Sequence, residues 1–301
     1  MKTIIFIALT TATLGLPMAA RGAENFATNQ TSSLGARGGS PAEVIHTAGA
    51  RLRGEGRRFG DLDTLEFHAT YVETLRLNDS FDVLAGADWR RLQTGVPDRA
   101  PVPRTLQSAA LVLGGNWRIR DRWHARLEVL PGVYSDFEDI SGRDFNAPFS
   151  VEVSYRFNDN LTAGLQASVD ARREFPAVAF PGVRWRISDR WTLNAWIPRP
   201  QLEYRAADFA TLFAGAQFSG GTYVVAENFG RRRGVRALDG EAVDFQETRV
   251  GGGVRFQWAG RLTGEISGGL ALDRRYNFHG RDYELRTASA PFVQAGLGIS
   301  F

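Results

Sequence analysis

Histidine is the side chain best suited to acid–base chemistry near neutral pH. The chain has four, at positions 46, 68, 124 and 279. On an extended strand Glu66 shares a face with His68, and Glu128 shares a face with His124. Neither pair lies in a P-loop, a G-x-S-x-G elbow or an H-E-x-x-H helix, and the chain contains no Cys. We therefore predict a charge network, with no catalytic site, no metal site and no cofactor.

Further charged residues recur at two-residue spacing in the middle of apolar segments. Because successive strand residues point to opposite faces, this spacing puts the charges on one face of each strand. The residues predicted to line a polar interior on this basis are Asp88, Arg90, Arg126, Glu128, Glu152, Arg156, Asp170, Arg255 and Glu265. The same reading places Gln166, Arg249 and Asp273 on the polar face.

The opposite face of the same strands is apolar almost throughout. It carries Val151 and Val153 in one segment, Leu165 in the next, and Ile266 and Leu270 near the end of the chain. A soluble sandwich rarely needs a dozen or more strands with this alternation, whereas a membrane barrel puts lipid outside and a polar lumen inside. The pattern predicts an all-β fold, a membrane-spanning antiparallel up-and-down β-barrel.

Two kinds of connection alternate along the chain. Short polar turns recur in "RLNDSF" at 76, "RIRDRW" at 118, "RFNDNL" at 156 and "RISDRW" at 186. Longer connections are predicted at 94–104, 135–148, 229–242 and 273–286. Short turns at one end and longer loops at the other are typical of outer-membrane barrels. The "GRRRGVR" segment at 230–236 is expected in a solvated external loop, with lipopolysaccharide phosphate binding as the alternative.

We predict fourteen strands, with twelve as the alternative. Their predicted starts are near 44, 62, 81, 106, 123, 149, 161, 177, 191, 201, 209, 244, 262 and 290. The uncertain segment is 191–209, where Pro198 and Pro200 leave room for only two very short strands. Glu73 breaks an outward apolar pattern, and we expect a nearby bulge to turn it inward.

The first residues read as a secretory signal peptide. Lys2 precedes an apolar run from Ile4 to Leu16, which is too short to span a bilayer, and small residues follow it. We assign 1–22 to the signal peptide, 23–43 to a flexible periplasmic segment and 44–301 to the transmembrane barrel. A plug inside the lumen is the alternative for the second segment. The absence of Cys means that an exported chain has no disulfide framework.

Aromatic residues cluster near the short turns and at the C-terminus, as expected for the girdle of a membrane interface. They include Trp117, Trp123, Trp185, Trp191, Trp258, Phe81, Phe157, Phe256 and Phe301. The final segment "PFVQAGLGISF" alternates through Leu297 and Ile299 and ends on Phe301. It resembles the β-signal by which the barrel-assembly machinery recognises outer-membrane proteins, which implies that these three residues form an assembly signal.

The whole chain resembles the outer-membrane β-barrel families of unknown function from Gram-negative bacteria. The stretch "IPRPQLEYRAADFATLFAGAQFSGGTY" at 197–223 is similar to one such family. The resemblance implies the bacterial cell outer membrane as the location, but no substrate and no functional residues. The formal net charge of +3 is weak support for an anionic partner such as lipopolysaccharide, and no nucleic-acid partner is predicted.

Three functions remain open at this point. The first is a narrow, porin-like channel for small solutes, with lumenal charges setting selectivity. The second is a non-conducting structural or interaction barrel that acts through its extracellular loops. The third is an outer-membrane enzyme, which we do not expect. Outer-membrane lipid, lipopolysaccharide, the barrel-assembly machinery and small solutes are the predicted partners.

Overall fold

The computed structural model describes residues 39–97, 100–258 and 261–300. Over these ranges the chain forms fourteen strands, each antiparallel to the next. They are β1 (Gly39–Gly54), β2 (Arg57–Asn78), β3 (Phe81–Gly95), β4 (Thr105–Arg120), β5 (Trp123–Val129 and Gly132–Ser135), β6 (Phe145–Asn146 and Phe149–Asn158), β7 (Leu161–Val169), β8 (Ala177–Arg186), β9 (Trp191–Asn194), β10 (Gln201–Ala207), β11 (Ala210–Val224), β12 (Ala242–Trp258), β13 (Leu262–Phe278) and β14 (Tyr283–Thr287 and Ala290–Ser300). One short helix, α1 (Phe229–Arg233), lies between β11 and β12.

The sheet closes on itself because the last strand pairs with the first. Val44 of β1 lies opposite Ala295 of β14, and the pairing continues to Leu52 opposite Thr287. Closure satisfies the backbone hydrogen bonds of both terminal strands, which an open sheet edge in lipid could not do. The fold is therefore a closed fourteen-stranded antiparallel barrel, and the prediction of fourteen strands is confirmed over the twelve-stranded alternative.

Two of the strands are interrupted at prolines. Both parts of β5 pair with β4, with Leu113 opposite Val129 and Ala110 opposite Gly132. The register is the same on the two sides of the Leu130–Pro131 break, so the parts form one strand. Pro148 interrupts β6 directly alongside, where Leu130 donates its backbone N–H to the Pro148 carbonyl at 2.9 Å. Proline lacks the N–H that a ladder needs, which explains both breaks.

The segment with the two prolines forms two short strands, as predicted. Trp191 lies opposite Tyr204 and Asn194 opposite Gln201, so β9 and β10 are a hairpin of only a few pairs. The connection at 195–200 carries Arg199, whose side chain is only 2% exposed.

The exterior of the barrel is apolar, and the end with the short turns is ringed by aromatic side chains. Exposed exterior residues include Leu111, Leu113, Val153, Leu165, Ile266, Val293, Leu297 and Ile299. At the turn end Phe81 stacks on Trp117 with ring centroids 4.8 Å apart, and Trp191 contacts Tyr204 at 4.8 Å. Rings with an apolar body and a polar edge suit the boundary between lipid and water. Within the described residues, no helix is both long enough and apolar enough to cross a membrane.

The interior at the loop end is apolar, which the predicted polar face did not anticipate. Buried Leu52, Leu62, Val243 and Phe245 from the strands pack against residues of the loops in one cluster. The loop residues in the cluster are Ala100, Val102, Val225, Phe229 and Leu238. We call this group the mouth cluster. Its burial follows from loops that fold back over the barrel end rather than extending into solvent.

Four details of the sequence prediction are corrected. The first strand begins at Gly39, five residues before the predicted barrel start at 44, so Glu43 belongs to the barrel wall. Residues 1–38, and with them the signal peptide and most of the segment at 23–43, lie outside the described residues. Glu73 faces outward, because the register is regular at Glu73 opposite Ala85 and shifts only between Arg76 and Asn78. Its carboxylate accepts a hydrogen bond from the Tyr71 hydroxyl at 2.5 Å.

The other two corrections concern β13 and β14. The predicted long connection at 273–286 is mostly strand, and the two strands are joined by a single turn at 279–282, where Asp282 has φ of 48°. A register shift between Glu247 and Arg249 of β12 places Arg274 rather than Asp273 inside. Arg274 is therefore buried and Asp273 is exposed. One extra residue in a strand reverses which side chains point inward.

Candidate functional site: the charged lumen

The barrel interior below the mouth cluster holds many buried ionisable side chains. They are Glu43, Glu66, Asp82, His124, Arg126, Glu128, Asp170, Arg173, Arg199, Glu203, Glu247, Arg249, Arg255, Glu265 and Arg274. Burying a charge costs free energy unless an opposite charge or hydrogen bonds compensate it. The pairing of these groups therefore decides what the lumen can do.

Glu66 is the centre of one network. Its Oε1 accepts a hydrogen bond from Arg90 Nε at 2.5 Å, and its Oε2 accepts one from Arg249 Nη2 at 2.5 Å. Arg249 also forms an ion pair with Glu247 on its own strand, and Glu247 lies 3.8 Å from Arg274 Nε. Both oxygens of Glu66 are thus used, and the carboxylate joins β2, β3 and β12.

Glu43 and His68 form a second network. His68 Nδ1 lies 3.3 Å from Glu43 Oε1 and His68 Nε2 lies 2.7 Å from Asp88 Oδ2. An imidazolium donates through both ring nitrogens, which fits carboxylates on both sides. The second oxygen of Glu43 accepts hydrogen bonds from Arg199 at 2.7 Å and from Gln294 at 2.9 Å. The predicted pairing of His68 with Glu66 is replaced by pairing with Glu43 and Asp88.

Arg255 holds a third network together. Its Nη2 donates to Glu265 Oε2 at 3.0 Å and its Nη1 donates to Glu203 Oε1 at 3.3 Å. Arg199 Nη1 lies 3.8 Å from Glu265 Oε1 and so links this network to Glu43. The predicted residues Arg255 and Glu265 are therefore direct partners.

The turn end of the lumen is less completely paired. Arg118 donates to both oxygens of Asp82 at 3.0 Å, and Arg126 Nη2 donates to Glu128 Oε2 at 2.6 Å. Glu152, which is half-buried, lies opposite Arg126 in the β5–β6 ladder. Arg156 donates to the Asp121 carbonyl at 2.8 Å. Both ring nitrogens of His124 lack a hydrogen-bond partner, so its predicted association with Glu128 is not formed.

The lumen is bridged from wall to wall. Arg90 of β3 donates to the carbonyl of Gly220 on β11 at 3.2 Å and bonds the Ser219 hydroxyl. Near the loop end Val224 of β11 pairs in parallel with Ser135 of β5, on the other side of the barrel. The cross-section is therefore flattened, and opposite walls touch at the Arg90 level.

A cavity of about 100 Å³ remains on one side of this bridge. It is lined by charged residues from β1, β2, β3, β5 and the β7–β8 loop and by the rings of Tyr134 and Tyr223. The predicted residues Asp88, Arg90, Glu128 and Asp170 lie on its wall. Within the described ranges, no group of three or more His, Cys, Asp or Glu side chains is arranged to hold a metal ion.

Sequence reasoning missed four important members of the networks. The sequence pattern places Glu43 in the flexible segment, and Arg199 lies between two prolines, where no strand face can be predicted. Glu247 and Arg274 flank the register shift, which breaks the two-residue period. The available signal was compositional: Arg199 is an isolated charge in the apolar stretch "NAWIPRP".

Comparison with one solved structure whose TM-score exceeds 0.5 supports the fold. A similar solved structure is the TodX monoaromatic hydrocarbon channel deltaS2 mutant, with 8% identity, 88% of this chain and 90% of that chain covered, and a TM-score of 0.51. The Pseudomonas putida toluene transporter TodX has 10% identity, coverage of 87% and 88%, and a TM-score of 0.46. An outer membrane channel from Pseudomonas putida F1 has 8% identity, coverage of 87% and 95%, and a TM-score of 0.47.

The sequence comparison gives the family. No curated protein matches the chain. A family model described as a domain of unknown function, DUF6268, matches residues 77–296, which include β3 to β13, most of β14 and all three networks except Glu43, Glu66 and His68. The predicted membership in a barrel family of unknown function is confirmed: the chain belongs to the family of the domain of unknown function DUF6268.

Proposed function

We propose that the protein is an outer-membrane barrel whose narrow, charge-lined lumen passes small polar solutes. The observation that carries the proposal is the inversion of polarity: ionised side chains are buried inside the wall while apolar side chains are exposed outside it. A soluble protein does the reverse, whereas a barrel in lipid needs this arrangement.

The outer membrane is the location that fits this surface. A closed barrel leaves no unpaired strand edge for lipid to meet, and the aromatic ring at the turn end suits one interface. We place the short turns and both ends of the chain in the periplasm and the longer loops outside. Export through the segment at 1–22 and insertion by the barrel-assembly machinery belong to the same proposal.

The proposed solutes are small and polar. Arg90 bonded to Gly220 narrows the lumen, and the cavity beside this bridge holds only about 100 Å³. A solved barrel of similar fold is named a monoaromatic hydrocarbon channel, but here the lining includes the side chains of Glu66, Asp88 and Arg90. Ionised groups of this kind set ion selectivity and favour polar solutes over hydrocarbons.

A non-conducting barrel that acts through its loops is the second candidate, and the mouth cluster favours it. Asp136 donates its backbone N–H to the Val224 carbonyl at 3.1 Å, and its carboxylate accepts the Ala226 N–H at 2.9 Å. Arg143 pairs with Glu227 at 2.6 Å on the outer surface, and Arg231 pairs with Asp239 at 2.9 Å. These contacts hold the external loops closed over the lumen. Arginines of α1 would in this case meet lipopolysaccharide phosphate.

Osmotic swelling of liposomes separates the two candidates. The purified barrel is reconstituted and challenged with neutral solutes of increasing size, from glycerol to disaccharides. The channel proposal expects swelling with glycerol, and slower or no swelling with disaccharides. Equal rates in protein-containing and protein-free liposomes for every solute would support the closed barrel instead.

A further inference from the structure

One arginine of the cavity wall has no partner for most of its guanidinium. Arg173 is 5% exposed and lies in the loop between β7 and β8. Its Nε and Nη1 are buried and make no hydrogen bond. A buried guanidinium with unsatisfied donors is costly, so a group that accepts hydrogen bonds and carries negative charge would be stabilised beside it.

Arg173 is held at the cavity by its own loop. Its backbone N–H donates to the Asp170 carbonyl at 3.1 Å, and its guanidinium approaches Gly220 of β11. A Cβ on Gly220 would lie 3.5 Å from Arg173 Nη2, so the guanidinium occupies space that a larger residue on β11 would crowd. The Arg173 side chain is buried and lies on the cavity wall.

Glu66, Asp88 and Asp170, which also line the cavity, already have partners. Glu66 is bonded to Arg90, and Asp88 is bonded to His68 and to the Thr70 hydroxyl at 2.7 Å. Asp170 accepts the Asn146 side-chain amide at 2.9 Å and the Arg172 backbone N–H at 3.1 Å. Among the groups on this wall, the Arg173 guanidinium has two buried donors without a partner and Glu128 has one oxygen without a partner. Of these two groups, only the guanidinium attracts an anion.

The rest of the wall indicates what kind of anion fits. Leu130, Pro148, Tyr134 and Tyr223 supply apolar surface to the same cavity. A guanidinium binds a carboxylate through two parallel hydrogen bonds, and aliphatic or aromatic carbon packs against rings. Asp88, Glu128 and Asp170 on the same wall disfavour an ion of charge −2.

We propose that this cavity binds a small organic monocarboxylate, with Arg173 as the residue that bonds the carboxylate and the Tyr134–Tyr223 side as the surface for its carbon chain. The inference rests on the proposed solute-passing lumen and names the ligand class for it. A volume of about 100 Å³ suits acids of a few carbon atoms.

Calorimetric titration of the folded barrel in detergent tests the assignment. The probes are sodium acetate, butyrate and benzoate, with sodium chloride and inorganic phosphate as the other anions. We expect saturable binding of butyrate, weaker binding of phosphate, and at least a tenfold loss of butyrate affinity in Arg173→Gln. The butyrate affinity of Arg173→Lys should lie between those of the wild type and Arg173→Gln, because lysine keeps the positive charge but cannot form the two parallel hydrogen bonds of a guanidinium.

Arg172→Gln is the matched control, since Arg172 is the neighbouring arginine of the same loop and bonds the Arg143 carbonyl at the surface. It should bind butyrate as the wild type does. Heat-modifiable migration shows that each variant is folded. No saturable carboxylate binding by the wild type, or equal affinity in folded Arg173→Gln, would overturn the assignment.

Binding and transport are read out separately. Saturable butyrate binding without liposome swelling leaves the Arg173 assignment standing and removes the channel proposal. Liposome swelling without saturable butyrate binding leaves the channel proposal standing and removes the Arg173 assignment.

Discussion

Glu66 and Arg249 are hydrogen-bonded at 2.5 Å although β13, β14 and β1 lie between their strands in the barrel wall. The bond crosses the barrel interior between strands that are not neighbours, and both side chains are buried, with Glu66 3% and Arg249 1% exposed. Such a pair fixes the shape of the cross-section, because either residue alone would be an uncompensated buried charge.

Removal of the Glu66 charge should therefore destabilise the barrel. We expect Glu66→Gln to lower the free energy of unfolding by about 3 kcal/mol, because Arg90 and Arg249 lose a shared counter-ion. Urea titration of the refolded protein in detergent measures this. The control is Asp79→Asn, whose partner Arg76 is in an exposed pair, with side-chain exposures of 59% and 97%, and which should cost under about 1 kcal/mol. Equal losses of stability in Glu66→Gln and Asp79→Asn would show that Glu66 does not stabilise the barrel as the shared counter-ion of Arg90 and Arg249.

The neighbours Leu165 and Gln166 test which face meets lipid. Leu165 is 54% exposed on the exterior and lies opposite Val153, whereas Gln166 is 4% exposed and lies opposite Glu152. Arginine on the lipid face costs about 2 to 4 kcal/mol near the bilayer midplane. We expect Leu165→Arg and Val153→Arg to lower stability strongly in lipid vesicles, and Gln166→Arg to be tolerated beside Glu152. A larger loss of stability in Gln166→Arg than in Leu165→Arg would show that Gln166 faces lipid and Leu165 faces the lumen.

Asp136 makes the closure of the loop end sensitive to pH. Burial raises the pKa of its carboxyl above the ordinary value, with a smaller contribution in the same direction from the charge of Glu138. Backbone N–H donors from Ala226 and Glu138 and the charge of Arg232 act in the opposite direction. The closed loop thus binds the proton more tightly than the open loop does. Closure is most stable below the ordinary carboxyl pKa and weakens as pH rises through the elevated one.

Amide hydrogen exchange at Ala226 and neighbouring residues, corrected for the intrinsic rate, should show stronger protection in acid than at neutral pH. Asp136→Asn, which keeps an acceptor oxygen without the charge, should be protected to the acidic level throughout the range. Glu227→Gln is the control, because its pair with Arg143 is exposed. Unchanged pH dependence in Asp136→Asn would show that another group is responsible.

Assembly should depend on the last residue. Leu297 and Ile299 point outward on β14, as the alternation predicts, and Phe301 lies outside the described residues. We expect Phe301→Ala to reduce folded, heat-modifiable protein in the outer-membrane fraction much more than it reduces synthesis. Val293→Ala, on the same exterior face of β14, should have a smaller effect. Equal amounts of folded barrel in Phe301→Ala and wild type would remove the residue from the assembly signal.

Much of the fold could be predicted because the two-residue period is a local property. Polar and apolar faces were readable wherever a strand was regular, as at Leu165 and Gln166, and the Asn- and Asp-rich turns marked where strands end. The inward prediction for Glu73 is wrong, because a single charge on an apolar face does not require a bulge when Tyr71 beside it supplies a hydrogen bond on the exterior.

The pairing of the lumenal charges was harder to predict, because it depends on contacts across the barrel. His68 reaches Glu43 and Asp88 on neighbouring strands instead of Glu66 on its own. Arg199 enters the networks from a proline-flanked connection, and no periodicity describes such a segment. The mouth cluster likewise joins residues distant in sequence, such as Leu52 and Leu238, that only the folded loops bring together.

Planar-bilayer recording of the purified barrel shows whether the lumen conducts. We expect discrete conductance steps for the wild type in potassium chloride. We expect larger steps for Arg90→Ala, because that variant removes the bond to Gly220 that joins opposite walls, while Glu66 keeps Arg249 as its partner. Folded, heat-modifiable wild type and Arg90→Ala that both insert into the bilayer and carry no current would contradict the channel proposal.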